Sequence, residues 1–261
     1  MQQQILSRLT EELMEAEKKL MPMEALSTRF PELSVKDSYE IQLEWVKRQL
    51  KEGRAVIGKK IGLTSKAMQK MLGVDEPDYG HLLDNMLISS GSVLSRKDFI
   101  QPKIEAEIGF ILNQDLKGPN VTYVDVLMAT EALVPTLEII DSRIEDWKIK
   151  LIDTVADNGS SARAVTGEPF REIEKIDLRT VSMTLMKNGE VTATGAGAAA
   201  LGHPAHAIAW LANKLADYNI SLKAGELILP GALSAAIDVG AGDEVTATFG
   251  KLGSVSITFQ D

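Results

Sequence analysis

The feature that most restricts how this chain can fold is a change of hydrophobic period at Gly53. Before it, Leu6, Leu9, Leu13, Ala16 and Leu20 recur at steps of three and four, which places them on one face of a helix ending before Pro22. Tyr39, Leu43, Val46 and Leu50 repeat the pattern in a second helix. Ser34 and Asp37 are placed there as a capping box, and Gly53 as the terminator. Residues 1–53 therefore read as an N-terminal helical segment, and 54–261 as the body of the chain. Beyond Gly53 the texture becomes short β-type runs punctuated by Gly, Asn and Asp, with brief helices predicted near 65–72 and 124–133. Asn188-Gly189, between the two apolar-alternating arms of 181–194, signals a β-hairpin. Pro204 can open a helix that turns Ile208, Leu211 and Leu215 inward and ends near Asn219, and 226–229, 244–249 and 254–259 read as closing strands. The sum is an α+β fold whose mostly antiparallel sheet is rolled or barrel-like.

Charge and composition narrow the partners. With 28 basic against 37 acidic residues the net charge is -9, which disfavours nucleic acid or an anionic membrane surface. Cysteine is absent, so any metal must be held by oxygen or imidazole. The opening MQQQILSRLTEELMEAEKK mixes acidic with apolar residues and lacks the blocks of a signal peptide. The Ala-rich run 195–211 is broken by Gly202, His203, Pro204 and His206, which makes it a poor membrane span. A reducing cytoplasm is the expected compartment.

In PKIEAEIGFIL (102–112), Ile104, Ala106 and Ile108 alternate with Glu105 and Glu107. On a strand the two carboxylates share a face about 6.6–7 Å apart, whereas on a helix they would diverge. A second run, LVPTLEIID, sets Glu138 between Leu137 and Ile139. Three crowded carboxylates raise one another's pKa unless a divalent cation neutralises them, and an oxygen-only set favours Mg²⁺ or Mn²⁺. From spacing alone, however, Glu105 and Glu107 read first as the solvated face of an edge strand. Near a helix start, His203 reads as structural and His206 as a surface residue. His81 also reads as structural, and Trp147 and Trp210 as packing residues.

The segments GKKIGLTS (58–65), GVDEPDYG (73–80), QPKIEAEIGF (101–110), PTLEIIDSRIEDWKIKLIDTVADN (135–158), TGAGAAALGHP (194–204) and LKAGELIL (222–229) tip the balance. Together they resemble the 2-oxopent-4-enoate hydratases of the fumarylacetoacetate-hydrolase-like superfamily, which includes the similar 4-oxalocrotonate decarboxylases. The resemblance runs in order through nearly the whole chain. It implies a mixed β-roll with a peripheral helical segment, a homo-oligomer larger than a dimer, and a possible complex between paired hydratase and decarboxylase. It also implies a Mg²⁺ site at Glu105, Glu107 and Glu138. Lys60 matches the family's active-site lysine, Asp78 its hydratase-type acid and Ser160 its substrate-contacting hydroxyl. From the residues alone these three read as a surface lysine, a turn residue and a loop hydroxyl.

The implied reaction is hydration of 2-hydroxypenta-2,4-dienoate to 4-hydroxy-2-oxopentanoate, the 2-keto acid chelating the metal while Lys60 and Asp78 handle protons. The rival is decarboxylation of 2-oxohex-3-enedioate. Asp78 and DWKIKLIDT (146–154) look hydratase-like, whereas Arg163 in SSARAVTG and Ala235-Ala236 look decarboxylase-like, an arginine being suited to a second substrate carboxylate. A non-catalytic partner subunit is a third reading, opposed by the presence of Lys60 and all three glutamates. Pro230 departs from the pattern, standing where these families usually place Ser or Thr.

Overall fold

The computed structural model of the protein describes residues 3–66, 69–70 and 73–261, so the short helix expected at 65–72 lies in part outside the described residues. Three helices come first: α1 (Gln3–Lys19), the short α2 (Leu26–Arg29) and α3 (Val35–Lys51). α1 buries Leu6, Leu9, Leu13 and Ala16 as its period requires, but Leu20 falls past its end with φ 52° and is 40% exposed. α3 begins on the expected box: Ser34 Oγ accepts from Asp37 N, and the Asp37 carboxylate accepts from Ser34 N. Gly53, at φ 88°, donates to Leu50 O just beyond the helix end.

The buried face of α3 is rotated from the predicted stripe. It consists of Ser38, Tyr39, Ile41, Gln42 and Val46, while Leu43 is half-buried and Leu50 is 48% exposed. The cause is that α3 packs on two partners at once. Ile41 joins Leu6, Leu9, Leu13, Leu26 and Leu33 in a cluster shared with Ile144 and Ala156 of the body. Tyr39 instead enters the main core, its ring stacked on Tyr79 at 4.5 Å.

The strands that follow are β1 (Val56–Gly62), β2 (Asp78–Leu83), β3 (Leu87–Ser89), β4 (Ser92–Ser95), β5 (Pro102–Leu112), β6 (Thr130–Asp141) and β7 (Ser161–Thr166). They continue with β8 (Ser182–Lys187), β9 (Glu190–Ala196), β10 (Leu227–Leu229), β11 (Ile237–Asp238), β12 (Glu244–Phe249) and β13 (Gly253–Gln260). Among the described residues they form two sheets. The larger runs β2-β1-β10-β5-β6-β7-β3, with β11 also on β5, and the smaller runs β4-β13-β12-β8-β9. Pairing is parallel at β1/β10, β3/β7 and β4/β13 and antiparallel elsewhere, the mixed and mostly antiparallel α+β arrangement that was expected. Asn188 and Gly189 turn β8 into β9 with φ of 52° and 79°, the double left-handed geometry that favours Asn-Gly.

The helix predicted at 124–133 stops early. It spans Tyr123–Met128, and from Thr130 the chain is already strand, because pairing with β5 along the whole of β6 outweighs local helix preference. β5 lies between β10 and β6, so it is not the edge strand that the spacing of its glutamates suggested. Its Ile104, Ala106, Ile108 and Phe110 face a core shared with Val245, Phe249, Ile257 and Phe259 of the smaller sheet and with Ile208, Leu211 and Leu215 of the helix Pro204–Leu215. Among the described residues no helix is long and apolar enough to cross a membrane.

One buried amide ties the helical segment to the body. Gln42 Nε2 on α3 donates to Tyr79 O at 2.9 Å and to Val155 O at 2.8 Å. With both amide protons used, Oε1 is left to accept, so His81 Nδ1, 3.0 Å away, is the donor. Burial, reinforced by the nearby Lys59 charge, pushes the His81 pKa down to about 3 from 6.5. Protonation therefore favours the unfolded chain: this contribution to stability is full above about pH 6.5 and is lost as pH falls toward about 3. His81→Asn, which keeps a donor for Gln42 Oε1, is expected to flatten the decline of Tm between about pH 6.5 and pH 4.5. Parallel Tm profiles for variant and wild type over that range would refute the assignment.

Candidate active site

In the β5–β6 pair Glu105 stands opposite Glu138, and Glu107 opposite Thr136. The pleat therefore sends all three glutamates to one side of the sheet and Ile104, Ala106, Ile108, Leu137 and Ile139 to the other. One oxygen from each glutamate lies within 4.8 Å of the others. Glu107 and Glu138 are fully buried and Glu105 is half-buried. Burial, with the charge of Glu138 added, pushes Glu105 up to about 7. Burial with both neighbouring glutamates raises Glu107 well above the usual carboxylate range, and burial raises Glu138 as well.

Glu107 Oε2 accepts a hydrogen bond from Gly231 N at 2.7 Å, but its Oε1 and both oxygens of Glu138 accept none. Buried carboxylate oxygens left without donors cost free energy, and a cation among them removes that cost. The donor set is all hard oxygen and small in number, which fits Mg²⁺ or Mn²⁺ with positions left for water and a chelating acid.

The same face carries Lys60 and Asp78. β1 pairs with β2 so that Lys60 is opposite Gly80 and Gly62 is opposite Asp78, and Lys60 is opposite Leu229 on β10. The pleat separates the tandem lysines. Lys59 points to the other side, where it forms a buried pair with Glu226 at 2.7 and 2.9 Å. Lys60 Nζ lies 3.4 Å from Glu138 Oε2 and donates to Gly159 O at 3.0 Å. Burial opposes its charge, but Glu138, Asp78, Glu105 and Glu107 together outweigh burial and raise its pKa, so it is an ammonium donor. Asp78 is buried, with Oδ2 accepting from Thr154 Oγ1 at 3.1 Å and Oδ1 free of any hydrogen bond. Burial, only partly offset by Lys60, raises its pKa. An added Cβ at Gly62 would lie 2.2 Å from Asp78 Oδ1, so any larger residue there would displace the Asp78 carboxylate.

Ser160 lies in a turn, next to the Gly159 carbonyl that Lys60 contacts, in which Asn158, Gly159 and Ser160 take φ of 54°, 61° and 54°. A non-glycine residue in this region costs roughly 1–3 kcal/mol and persists only where its surroundings impose it. Part of the imposition is a two-way clasp: His81 N donates to Asn158 Oδ1 at 2.7 Å and Asn158 Nδ2 donates to His81 O at 2.9 Å. At Gly80 an added Cβ would be 2.3 Å from Asn158 O, so the turn is packed directly onto β2. The Ser160 hydroxyl itself is engaged, donating to Asp157 Oδ2 at 3.2 Å.

Arg163 is not brought to the glutamates. It is opposite Ile139 in the β6–β7 register, while its neighbour Ala164 is opposite Glu138, so Arg163 points to the other side. Its guanidinium lies 5.6 Å from the Phe99 ring centroid, and its Nη1 donates to Ala162 O at 2.7 Å. Pro230 is buried and carries no hydroxyl, but a hydroxyl stands beside the next residue. A Cβ on Gly231 would lie 2.0 Å from Oγ1 of the buried Thr64. Sequence reasoning missed Thr64, Thr154, Asn158 and the Gly159 carbonyl; of these only Asn158 carried a usable signal, as a turn-forming residue next to Gly159. His203 accepts from Ala205 N as a helix cap and His206 is exposed, while Trp147 is half-buried with its Nε1 donating to Gln101 O at 3.0 Å.

Residues 52–260 match the fumarylacetoacetate (FAA) hydrolase C-terminal family. The chain is 45% identical over 251 residues to the 2-hydroxyhexa-2,4-dienoate hydratase of Comamonas testosteroni, covering 95% of each chain. It is 47% identical over 222 residues to the 2-hydroxypent-2,4-dienoate hydratase of Pseudomonas putida, covering 85% of this chain and all of that one (100%). Among solved structures, the 4-oxalocrotonate decarboxylase from Pseudomonas putida G7, complexed with magnesium and adipate, superposes with a TM-score of 0.97 at 40% identity over 99% of this chain and 98% of that one. A sheet face that gathers three glutamates, a lysine and an aspartate, together with these matches, makes the chain a member of the fumarylacetoacetate hydrolase family.

Proposed function

We propose that the protein is a Mg²⁺-dependent hydratase that converts 2-hydroxypenta-2,4-dienoate, the enol of 2-oxopent-4-enoate, into 4-hydroxy-2-oxopentanoate. The observation that carries this reading is Asp78, a buried carboxylate on the same sheet face as the glutamates with one oxygen free of hydrogen bonds. Relatives matched by sequence include hydratases at 45% and 47% identity as well as a 4-oxalocrotonate decarboxylase at 41%, and the solved relative's magnesium supports the choice of ion.

Glu105, Glu107 and Glu138 would hold the ion, which when bound supplies a Lewis acid for a carboxylate oxygen and the 2-oxo oxygen of the acid. Lys60, fixed by Gly159 O, offers an ammonium N–H to the 2-oxygen as negative charge grows there. Ketonisation puts a proton on C5 and leaves a C3=C4 bond conjugated to the 2-oxo group. Water then adds at C4 while Asp78 takes its proton through Oδ1, and C3 receives a proton in return, so the step is balanced without a covalent intermediate. A raised pKa makes Asp78 a stronger acceptor than an exposed carboxylate would be. Decarboxylation needs no such base, and Arg163, the residue suited to a second substrate carboxylate, faces away from the glutamates.

Assaying the purified protein with 2-hydroxypentadienoate and 2-oxohex-3-enedioate side by side tests this. Hydration of the dienoate is expected to dominate, to stop with EDTA and to return with Mg²⁺. Asp78→Asn is expected to lower hydration by roughly 10²–10⁴-fold while Mn²⁺ affinity stays within about twofold. Brisk CO₂ release from the dioate with little hydration of the dienoate would instead make the protein a decarboxylase. For the metal site, Glu107→Gln is expected to weaken Mn²⁺ binding by at least about tenfold in calorimetry. An unchanged affinity in that variant would remove Glu107 from the ligand set.

A further inference from the structure

We propose that Arg143 and Asp157 are positioning residues for this reaction, a buried ion pair that sets the place of Lys60 by holding the 158–160 turn against it. The inference rests on the hydratase reading above for its chemistry, but its geometry is independent of that reading.

Arg143 and Asp157 are 6% and 2% exposed, and Arg143 lies just past the end of β6. The guanidinium spends its donors on the two ends of the turn. Nε donates to Asp157 Oδ1, Nη2 to Asp157 O, and Nη1 to Ser161 O at 3.2 Å and Asp141 O at 2.9 Å. Arg143 N adds a bond to Asp157 Oδ2 at 3.0 Å, an oxygen that also accepts from Ser160 Oγ at 3.2 Å. One side chain thus fixes the carbonyls of the residues that bracket Asn158, Gly159 and Ser160.

Those three residues are all left-handed, a conformation that Gly and Asn adopt readily but Ser does not hold unaided. Its consequence at the site is that Gly159 O points at Lys60 Nζ, 3.0 Å away. A Cβ on Gly159 would lie 3.0 Å from Lys60 Cδ, so the turn also walls the lysine stem. Lysine has a long flexible stem, and the carbonyl supplies the fixed acceptor that its ammonium needs in order to stay 3.4 Å from Glu138.

Geometry and charge separate in Arg143→Lys, which keeps a cation but lacks the planar fork that reaches two carbonyls at once. Its kcat is expected to fall about 10–100-fold, the scale of a small misplacement of a reacting group, with KM and Mn²⁺ affinity within about threefold of wild type. Guanidinium at millimolar concentration is expected to restore part of the kcat of Arg143→Ala but none of that of Asp78→Asn. Should Arg143→Ala fail to fold, Asp157→Asn carries the same kcat and KM comparison. Turnover is scored on whichever reaction the wild type performs, so a wild type that releases CO₂ overturns the hydratase reading while the kcat ratio still tests Arg143. Wild-type kcat in Arg143→Lys, or parallel losses of kcat and Mn²⁺ affinity, would overturn the proposal. So would a crystal structure of Arg143→Lys with Gly159 O still bonded to Lys60 Nζ, whatever the substrate.

Discussion

The antiparallel register of β5 on β6 is the constraint on which the rest of the structure depends. It sets Glu105 directly across from Glu138 with Glu107 one pleat away, and it does so in the middle of a sheet where water is scarce. Three carboxylates in that setting are unfavourable as a group, since burial and mutual repulsion both act against their ionised forms. Much of the surrounding architecture can be understood as compensation. Gly231 N meets one oxygen of Glu107, and the Lys60 ammonium stands beside Glu138. The oxygens that remain without donors are the ones a divalent cation would satisfy.

The opposite face of the same strands supplies the rigidity. Ile104, Ala106, Ile108, Phe110, Leu137 and Ile139 are fully buried in one core with the smaller sheet and the helix Pro204–Leu215. Each of the larger side chains among them contributes about 1.5–3 kcal/mol of burial, enough in aggregate to hold a polar cluster that is unfavourable when empty. The helical segment is tied into the same arrangement through Gln42, which spans α3, β2 and Val155 of the helix Leu151–Ala156. A polar cluster held by a packed sheet on one side and a clasped turn on the other has little freedom to relax. That is what catalysis by fixed dipoles and charges requires.

Local rules made several parts of this legible from the residues. The capping box at Ser34 and Asp37, the Asn188-Gly189 turn and the inward face of the helix opened by Pro204 each depend on neighbours a few positions away, and each stands where it was expected. Rules that depend on a partner elsewhere failed more often. Leu43 and Leu50 looked as apolar as Ile41, but only docking against two surfaces chose which stripe of α3 would be covered. Arg163 had the right chemistry for a second substrate carboxylate, and the β6–β7 register turned it away. Arg143 and Asp157 gave no sign of pairing, because nothing local links a residue at the end of one strand to a residue in a later turn.

By itself, the amino-acid sequence determined that Glu105 and Glu107 share a face once 102–112 is a strand, because the pleat is a property of a single strand's backbone. It also carried the family's motifs in order, and with them a short set of residues worth examining. Only the tertiary structure decided that the glutamate face is buried and not solvated, that Lys60 and not Lys59 lies on it, and that a carbonyl from a left-handed turn fixes the lysine's ammonium. Those outcomes rest on register and packing between segments far apart in the chain. Such pairings are selected by the free energy of the whole fold, and no residue or its near neighbours encodes them alone.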